Sequence, residues 1–243
     1  DAGQTWTQVH AAFSSDQVLF DPNNGSNALA HVVDATLALH DVLWSVDGGQ
    51  TWAPAQSGLV AVAGYDARVE MCYAVSSPGV VYGSSGASGG KVWRSADGGR
   101  NWVQRTTSSN TGVSWYFNGF WVDPTNDNVQ VAAGLHVWRS IDGGVSFSQI
   151  SNGYIMTVDP HLDVHFVTAD PGYDGVTNRR VYVTTDGGLH VADDILAAGQ
   201  GSGWRDLDNG MRSTQFYGAD GHGPTGRLIG GLQDNGTQRL NGN

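Results

Sequence analysis

Short apolar runs alternate with breaks rich in glycine, proline and asparagine along almost the whole chain. Runs of about four to eight apolar or β-branched residues between such breaks are typical of β-strands. The runs follow one order: a strand that leads into Asp-Pro ("LFDPNNG", "FWVDPTND", "MTVDPHLD"), a strand with small residues ("VVYGSSG", "VQVAAG", "VYVTT"), and a strand that ends in "LWS" or "VWRS". The pattern predicts four-stranded units whose last strand begins at an aromatic residue.

One turn sequence, Ser-x-Asp-Gly-Gly-x-x-aromatic, follows the third strand of these units. It occurs as "SVDGGQTW" ending at Trp52, "SADGGRNW" ending at Trp102 and "SIDGGVSF" ending at Phe147, and degenerate versions end at Trp6 and Trp204. The closing aromatic recurs at a spacing of about 45–57 residues, close to the period of about 40–50 residues that marks β-propeller blades. We therefore predict an all-β fold, a β-propeller of about five four-stranded antiparallel blades.

The turn chemistry gives the repeated aspartates a structural role. Aspartate accepts hydrogen bonds from backbone N–H groups across a turn, and the two glycines adopt positive φ. In the three complete copies these aspartates are Asp47, Asp97 and Asp142. Because the chain begins inside such a turn, two organisations fit a single domain over residues 1–243: a closed five-bladed ring completed by an N-terminal strand, or a segment of a longer propeller.

Composition and charge argue against some classes of binding partner. The 23 acidic residues outnumber the 12 lysines and arginines, for a formal net charge of −11, which argues against binding to a nucleic-acid backbone. Cys72 is the only cysteine, so no internal disulfide is possible, and its apolar surroundings favour an inert buried thiol. No run approaches the roughly 18 apolar residues of a membrane span, and no signal peptide is visible.

The three complete turns resemble the Asp-box, or bacterial neuraminidase repeat, of sialidases, sortilin-type receptors, tandem-propeller xyloglucan hydrolases and secreted bacterial propellers. The resemblance implies that the turn lies at the periphery of each blade and that ligands bind at the central face. It therefore implies that Asp47, Asp97 and Asp142 are structural rather than catalytic. It also implies a secreted or periplasmic protein.

The clearest departure from the repeat is the segment "HLDVHF". His161, Asp163 and His165 alternate, so on an extended segment all three side chains would point to one face. These residue types bind zinc and similar ions, and His190 is a candidate fourth ligand, so we predict a possible divalent metal, zinc or calcium. The alternative is that the histidines are hydrogen-bonded polar residues near the mouth of a blade. The nearby "DPGYDG" is similar to a calcium loop but has glycine at its third position, which favours an ordinary turn.

From His161 onward the chain looks like a subgroup of secreted Asp-box propellers. In that subgroup a His-x-Asp-x-His stretch, an Asp-Gly-Gly strand, a Gln-Phe-Tyr strand and a Gln-Asp-Asn-Gly turn recur in this order. The resemblance implies that these segments gather near the central face. Besides the three metal candidates, the implied site positions are Asp186, Gln215, Tyr217, Gln233, Asp234 and Asn235.

A binding module is the function that the residues favour. Trp115, Tyr116 and Trp121 belong to "SWYFNGFW", the densest aromatic cluster of the chain, and aromatic platforms suit sugar rings. The expected partner is a glycan or an extracellular protein, bound at the central face, with carbohydrate favoured. A role as an assembly factor or receptor scaffold is a further alternative, which the acidic surface permits.

A glycoside hydrolase is the alternative if the chain is an enzyme. The sialidase pattern is missing, because the only glutamate, Glu70, lies in an apolar run and no arginine-containing opening motif is present. A hydrolase that uses two aspartates stays open, since carboxylates about 5–9 Å apart can come from any two blades. Asp163 and Asp186 are the catalytic candidates.

Overall fold

The computed structural model of the chain describes residues 4–34, 39–59, 62–63, 67–87, 89–106, 111–153, 158–209, 216–233 and 236–240. These residues are almost entirely strands and turns, with one short 3-10 turn at Gly223–Thr225. Within the described part of the chain, no helix is long and apolar enough to cross a membrane.

Five antiparallel sheets follow one another along the chain. The first contains β1 (Ser14–Asp21), β2 (Asn24–Val33), β3 (Leu39–Ser45), β4 (Ala53–Pro54) and the short β5 (Val62–Ala63), which pairs with β3. The second contains β6 (Val69–Tyr73), β7 (Val81–Ser85), β8 (Lys91–Ser95) and β9 (Val103–Gln104). The third contains β10 (Gly119–Val122), β11 (Gln130–Ala133), β12 (Val137–Ser140) and β13 (Ser148–Gln149). The fourth contains β14 (Val164–Ala169), β15 (Val181–Thr185), β16 (Gly188–Ala192) and β17 (Trp204–Asp206), and the fifth β18 (Phe216–His222), β19 (Arg227–Leu232) and β20 (Thr237–Leu240).

The sheets are arranged as propeller blades, which confirms the predicted fold class. Each is a meander in which strands pair in chain order. The first strands of neighbouring sheets contact one another, β1 with β6, β6 with β10, and β10 with β14. These inner strands therefore line the centre, and since every meander runs in the same order, they begin at one common face. Loops that precede the inner strands, and the turns between second and third strands, lie at that face.

The core lies between the sheets, in three clusters of buried side chains. One cluster joins the first and second sheets, one the second and third, and one the third and fourth. The aromatic residues that close the repeated turns lie in these clusters: Trp102, Phe147 and Trp204 respectively. The indole N–H of Trp204 also donates to the carbonyl of Ile150 in the third sheet, at 2.9 Å. These three aromatics thus pack their own sheets onto the preceding ones, whereas Trp52, in the first sheet, belongs to none of the three clusters.

The repeated turns are held by the same hydrogen bonds at each occurrence. In the second sheet, the Ser95 hydroxyl donates to Oδ1 of Asp97 at 2.7 Å and accepts from the Gly99 N–H at 2.9 Å. The backbone N–H and side-chain amide of Asn101 donate to the two oxygens of Asp97, at 2.9 and 2.8 Å. Asp47 and Asp142 make the corresponding bonds. These bonds account for the aspartates and confirm their structural role.

Two segments differ from the sequence-based expectation. Residues 5–13 form no strand, and Trp6 is 90% exposed, so in the described chain the N-terminal turn does not complete the fifth sheet. In the fourth sheet, the inner strand is Val164–Ala169, which leads into Asp170 and Pro171, whereas the sequence pattern predicted it in the "MTVDP" run, of which Met156 and Thr157 lie outside the described residues. Both runs are apolar and precede Asp-Pro, but the later one pairs with "VYVTT" over its length.

Replacing Asp97 with alanine should lower the thermal stability. The change removes the acceptor of four hydrogen bonds, from Ser95, from the Arg100 N–H and twice from Asn101. Loss of a comparable capping acceptor costs about 1–2 kcal/mol, or about 2–8 °C in Tm for a chain of this size. Asp220→Ala is the control, because this exposed carboxylate accepts a bond from the adjacent residue's N–H. Equal shifts in both variants would argue against the turn as the source of stability.

The stability contributed by Asp47 should depend on pH. Hydrogen bonds from the Thr51 hydroxyl and N–H, and from Ser45, lower the pKa of Asp47 from 3.8 to about 2. Because the folded-state pKa lies below the unfolded-state pKa, the charged carboxylate stabilises the fold above about pH 4, and the effect is lost as the pH falls towards 2. Thermal unfolding of the wild type and Asp47→Asn should differ most near neutral pH and converge in acid. A constant difference from pH 7 to pH 2 would contradict this assignment.

Candidate functional site

A cavity of about 410 Å³ opens at the face where the inner strands begin. The first three sheets provide its walls, which combine aromatic, acidic, basic and imidazole side chains: Ser14, Asp16, Val33, His40, Arg68, Trp115 and Tyr116. The pairing of Ser14 with Val33, and of Val33 with His40, places these residues together at this end of the first sheet. Such a mixture of flat apolar faces and convergent polar groups suits a polar ligand of small or moderate size.

The aromatic wall comes from the loop that leads into β10. Trp115 and Tyr116 are 45% and 43% exposed. The loop is tied to the second sheet, because Arg68 donates to the Trp115 carbonyl at 3.3 Å. Asn118, which is buried, donates its side-chain amide to the carbonyls of Arg68 and Ser84, at 3.3 and 3.1 Å. Two exposed rings are thus held at the cavity by buried hydrogen bonds below them.

Arg68 is positioned in turn by the single glutamate of the chain. Its guanidinium lies 3.1 Å from Glu70, and the other carboxylate oxygen of Glu70 accepts from Gln17 at 2.8 Å. Gln17 also accepts from the Met71 N–H at 2.7 Å, which joins the first sheet to the second. Burial raises the pKa of Glu70, and the nearby Arg68 opposes this shift. Glu70 therefore supports the wall of the cavity and does not line it.

A histidine–aspartate pair from the fourth sheet lies beside the aromatic wall. The ring of His165 meets the ring of Tyr116 edge to face, with centroids 5.1 Å apart. Nε2 of His165 is 2.6 Å from Oδ1 of Asp186, and both side chains are partly exposed. The structure thus brings three of the sequence-predicted residues, Tyr116, His165 and Asp186, to one place at the central face.

The predicted metal set in this segment is not assembled. Asp163 has a φ of +61°, so the segment from His161 to His165 is not extended and its side chains do not share one face. His161 is buried and packs onto Gly187, where an added Cβ would lie 2.5 Å from the His161 Cβ, whereas His165 faces Tyr116. The alternation rule fails here because it assumes strand geometry, and β14 begins only at Val164.

The candidate fourth ligand, His190, lies inside the fourth sheet. It is buried, and its Nδ1 has no hydrogen-bond partner in the described chain. Burial lowers the pKa of His190, and the nearby Asp206 opposes this shift. The imidazole of His190 is therefore neutral at pH 7.

The loop with a resemblance to a calcium site is occupied by its own hydrogen bonds. One oxygen of Asp170 accepts from the Gly172 N–H and the Asn178 amide, at 2.8 and 2.9 Å, and the other accepts from Tyr182 at 3.0 Å. Asp174 likewise accepts from backbone N–H groups that follow it in the loop. The loop therefore has the bonding of an ordinary turn.

Trp121, predicted to bind ligand, belongs to the core instead. It is 7% exposed, lies in the cluster between the third and fourth sheets, and meets the ring of Tyr173 edge to face at 5.5 Å. The cluster "SWYFNGFW" divides between two environments, since its first aromatics precede β10 and Trp121 lies within it. Only the loop part reaches the cavity.

The described candidates in the fifth sheet lie near the start of β18 and directly after β19. Tyr217 is 74% exposed near the start of β18, and Gln233 follows β19 and is partly buried. Gln215, Asp234 and Asn235 lie outside the described residues, so their predicted role stays a prediction.

Four polar residues at or next to the cavity were not predicted from the sequence: Asp16, His31, His40 and Arg68. His31 and His40 stand in the apolar runs "ALAHVV" and "LHDVLW", which predict core strands and give no local sign of a site. Nε2 of His31 lies 3.1 Å from Nδ1 of His40, and Nδ1 of His31 lies 3.2 Å from Oδ2 of Asp16. Burial, with a smaller contribution from His31, lowers the pKa of His40 and keeps its ring neutral at pH 7.

Comparison with known proteins identifies the fold but no family. No family model and no curated protein matches the sequence. Among solved structures, the chain is similar to a GH74 enzyme from Niastella koreensis, with a TM-score of 0.59 and 15% identity over 89% of this chain and 33% of that one. It is also similar to the GH74 xyloglucanase from Xanthomonas campestris, with a TM-score of 0.58 and 20% identity over 95% of this chain and 35% of that one.

A third similar structure is YCF48 bound to D1 peptide, with a TM-score of 0.50 and 11% identity over 92% of this chain and 68% of that one. The chain thus spans about a third of the length of the two GH74 enzymes. At these identities the similarity establishes a shared propeller fold, and a fold of this kind hosts many functions.

Proposed function

We propose that this chain is a carbohydrate-binding part of an Asp-box β-propeller, which holds its ligand in the cavity at the central face. The observation that carries the proposal is the pair of exposed aromatic residues, Trp115 and Tyr116, at the wall of a 410 Å³ cavity. The faces of sugar rings carry C–H groups that pack on aromatic rings, while sugar hydroxyls need donors and acceptors around them. Asp16, His40 and Arg68 offer both.

Two further points support carbohydrate over other ligands. The loop that carries the aromatic rings is tied down through the Trp115 carbonyl and the Asn118 side chain, so little backbone entropy is lost when a ligand stacks on the rings. The chain also shares its fold with a protein described as a xyloglucanase, although the low identity transfers no residue role. The proposal includes an extracellular or periplasmic location, because polymeric glycans are encountered there.

Substitution of the aromatic pair should weaken glycan binding. With xyloglucan and β-glucan oligosaccharides as probes in isothermal titration calorimetry, Trp115→Ala or Tyr116→Ala should raise Kd at least about tenfold, because loss of a stacked ring costs about 1.4 kcal/mol or more. Trp6→Ala is the matched control, since Trp6 is 90% exposed and lies on a turn outside the cavity. Equal weakening in the control would refute the cavity as the site, and binding of polypeptides but no glycan would favour the assembly role.

Hydrolysis is the second candidate function, because the two candidate aspartates meet through their backbones. The Asp186 N–H donates to the Asp163 carbonyl at 3.3 Å, and Oδ1 of Asp186 lies 2.6 Å from Nε2 of His165. A pair of carboxylates is what most glycoside hydrolases use.

Binding and hydrolysis differ in the products they leave. If the chain only binds, incubation with the same polysaccharides should release no reducing ends, and Asp186→Asn should leave the products unchanged. Release of reducing ends that disappears in Asp186→Asn and Asp163→Asn, but persists in Asp220→Asn, would replace the binding proposal with a hydrolase. Asp220 is a suitable control because it lies in the fifth sheet outside the cavity.

A further inference from the structure

A second group of chemically active side chains lies in the first sheet, next to the cavity. Asp16, His31 and His40 each offer one ligand atom, and these atoms all lie within 4.8 Å of one another. Across the described ranges, this is the one set of three or more such residues that meets this distance. It is separate from the predicted set in the fourth sheet, whose side chains diverge at Asp163.

The pairing of the strands explains why these three side chains converge. Val33 pairs with His40 across β2 and β3, and His31 lies two positions before Val33 on β2, so both imidazoles are on one face of the sheet. Asp16 sits in a β-bulge: Ser15 pairs with Val32 and Gln17 with His31, which leaves Asp16 as the extra residue. A bulge re-aims its side chain, and bulges are over-represented next to active sites.

The burial of the set is unusual for a purely structural cluster. The side chain of His31 is 0% exposed and His40 is 7% exposed, whereas Asp16 is 35% exposed and lines the cavity with His40. Nδ1 of His31 points towards Asp16 at 3.2 Å, but the alignment is not that of a hydrogen bond, and this buried nitrogen has no such partner. Buried polar atoms normally have a partner, so an unpaired ring nitrogen beside a carboxylate requires an explanation.

A bound cation provides that explanation. The ligands around a tetrahedral zinc ion, at bond lengths of about 2.0–2.1 Å, are about 3.3 Å apart. The His31–Asp16 separation of 3.2 Å is close to that value. A ring nitrogen of His40 lies within 4.8 Å of both of these atoms, and the two imidazole rings stack 5.1 Å apart at 14°.

We propose that Asp16, His31 and His40 form a binding site for a divalent transition-metal ion, with an open coordination position towards the cavity. Two imidazoles and one carboxylate suit zinc and related ions rather than magnesium or calcium, which prefer oxygen ligands. Three protein ligands with one open position are typical of sites that also bind an exogenous group. The site does not depend on glycan binding, although it shares Asp16 and His40 with the cavity.

Metal titration of the untagged protein tests the proposal without any glycan. After removal of metals with a chelator, the chain should take up one equivalent of Zn²⁺, measured by mass spectrometry of the metal content and by competition with a chromogenic chelator. Co²⁺ should give the visible absorption of a low-coordinate site, and Ca²⁺ and Mg²⁺ should not compete. Zinc should also raise the Tm of the wild type, by an amount that grows with the logarithm of the free zinc concentration above Kd.

Substitution of the ligands identifies the site. Asp16→Asn and His40→Gln should each weaken Zn²⁺ binding at least tenfold and abolish the Co²⁺ absorption, while circular dichroism shows that the fold is intact. His165→Asn is the matched control, since it removes a partly exposed histidine of the other predicted set, and it should retain one equivalent of zinc. The proposal would be overturned if the wild type bound less than about a tenth of an equivalent of zinc. It would also be overturned if the wild type, Asp16→Asn and His40→Gln bound zinc equally. The three side chains would then only contact one another, without a metal. Loss of zinc only in His165→Asn would place the metal in the fourth sheet instead.

Discussion

The packing of one sheet against the next is the constraint on which the rest of this structure depends. A four-stranded sheet has two faces and cannot bury either one alone, so the closing aromatics of the second, third and fourth sheets, Trp102, Phe147 and Trp204, each lie between their own sheet and the preceding one. The turn that carries the aromatic must fit the same space. Gly99 has a φ of +90°, and a Cβ added there would lie 2.3 Å from the side chain of Leu29 in the neighbouring sheet. The second glycine of the turn is thus required by backbone conformation and by contact between sheets.

This packing also decides where a ligand site can form. Because the sheets are fixed side by side, their inner strands begin at one face, and the loops before them meet there. The chain of contacts from Gln17 through Glu70 and Arg68 to the Trp115 carbonyl crosses from the first sheet to the loop of the third. A substitution of Gln17 or Glu70, which do not line the cavity, would therefore act on the aromatic wall through its support, without touching a ligand.

Local features of the sequence predicted the frame far better than the site. The Ser-x-Asp-Gly-Gly turns could be predicted because their hydrogen bonds join residues within a few positions of each other. The site depends on non-local facts: which residues of "SWYFNGFW" precede the strand, and where β14 begins. The left-handed conformation of Asp163 reverses the alternation on which the metal prediction rested. The position of Asp16 could not be predicted either, because it depends on non-local pairing: a β-bulge is defined only by the register of two paired strands.

The aromatic wall and the proposed metal site share one cavity, and this proximity has a physical consequence. Without a cation, Asp16 gives the cavity an acidic side opposite Arg68, which favours ligands that donate hydrogen bonds. A divalent ion on Asp16 reverses the local charge and offers an open position to a hydroxyl or carboxylate oxygen. If one ligand contacts both the rings and the ion, the metal raises the affinity for the ligand by the same factor as the ligand raises the affinity for the metal, because the coupling of two binding equilibria is reciprocal. The two halves of the cavity then act as one site, although different sheets supply them.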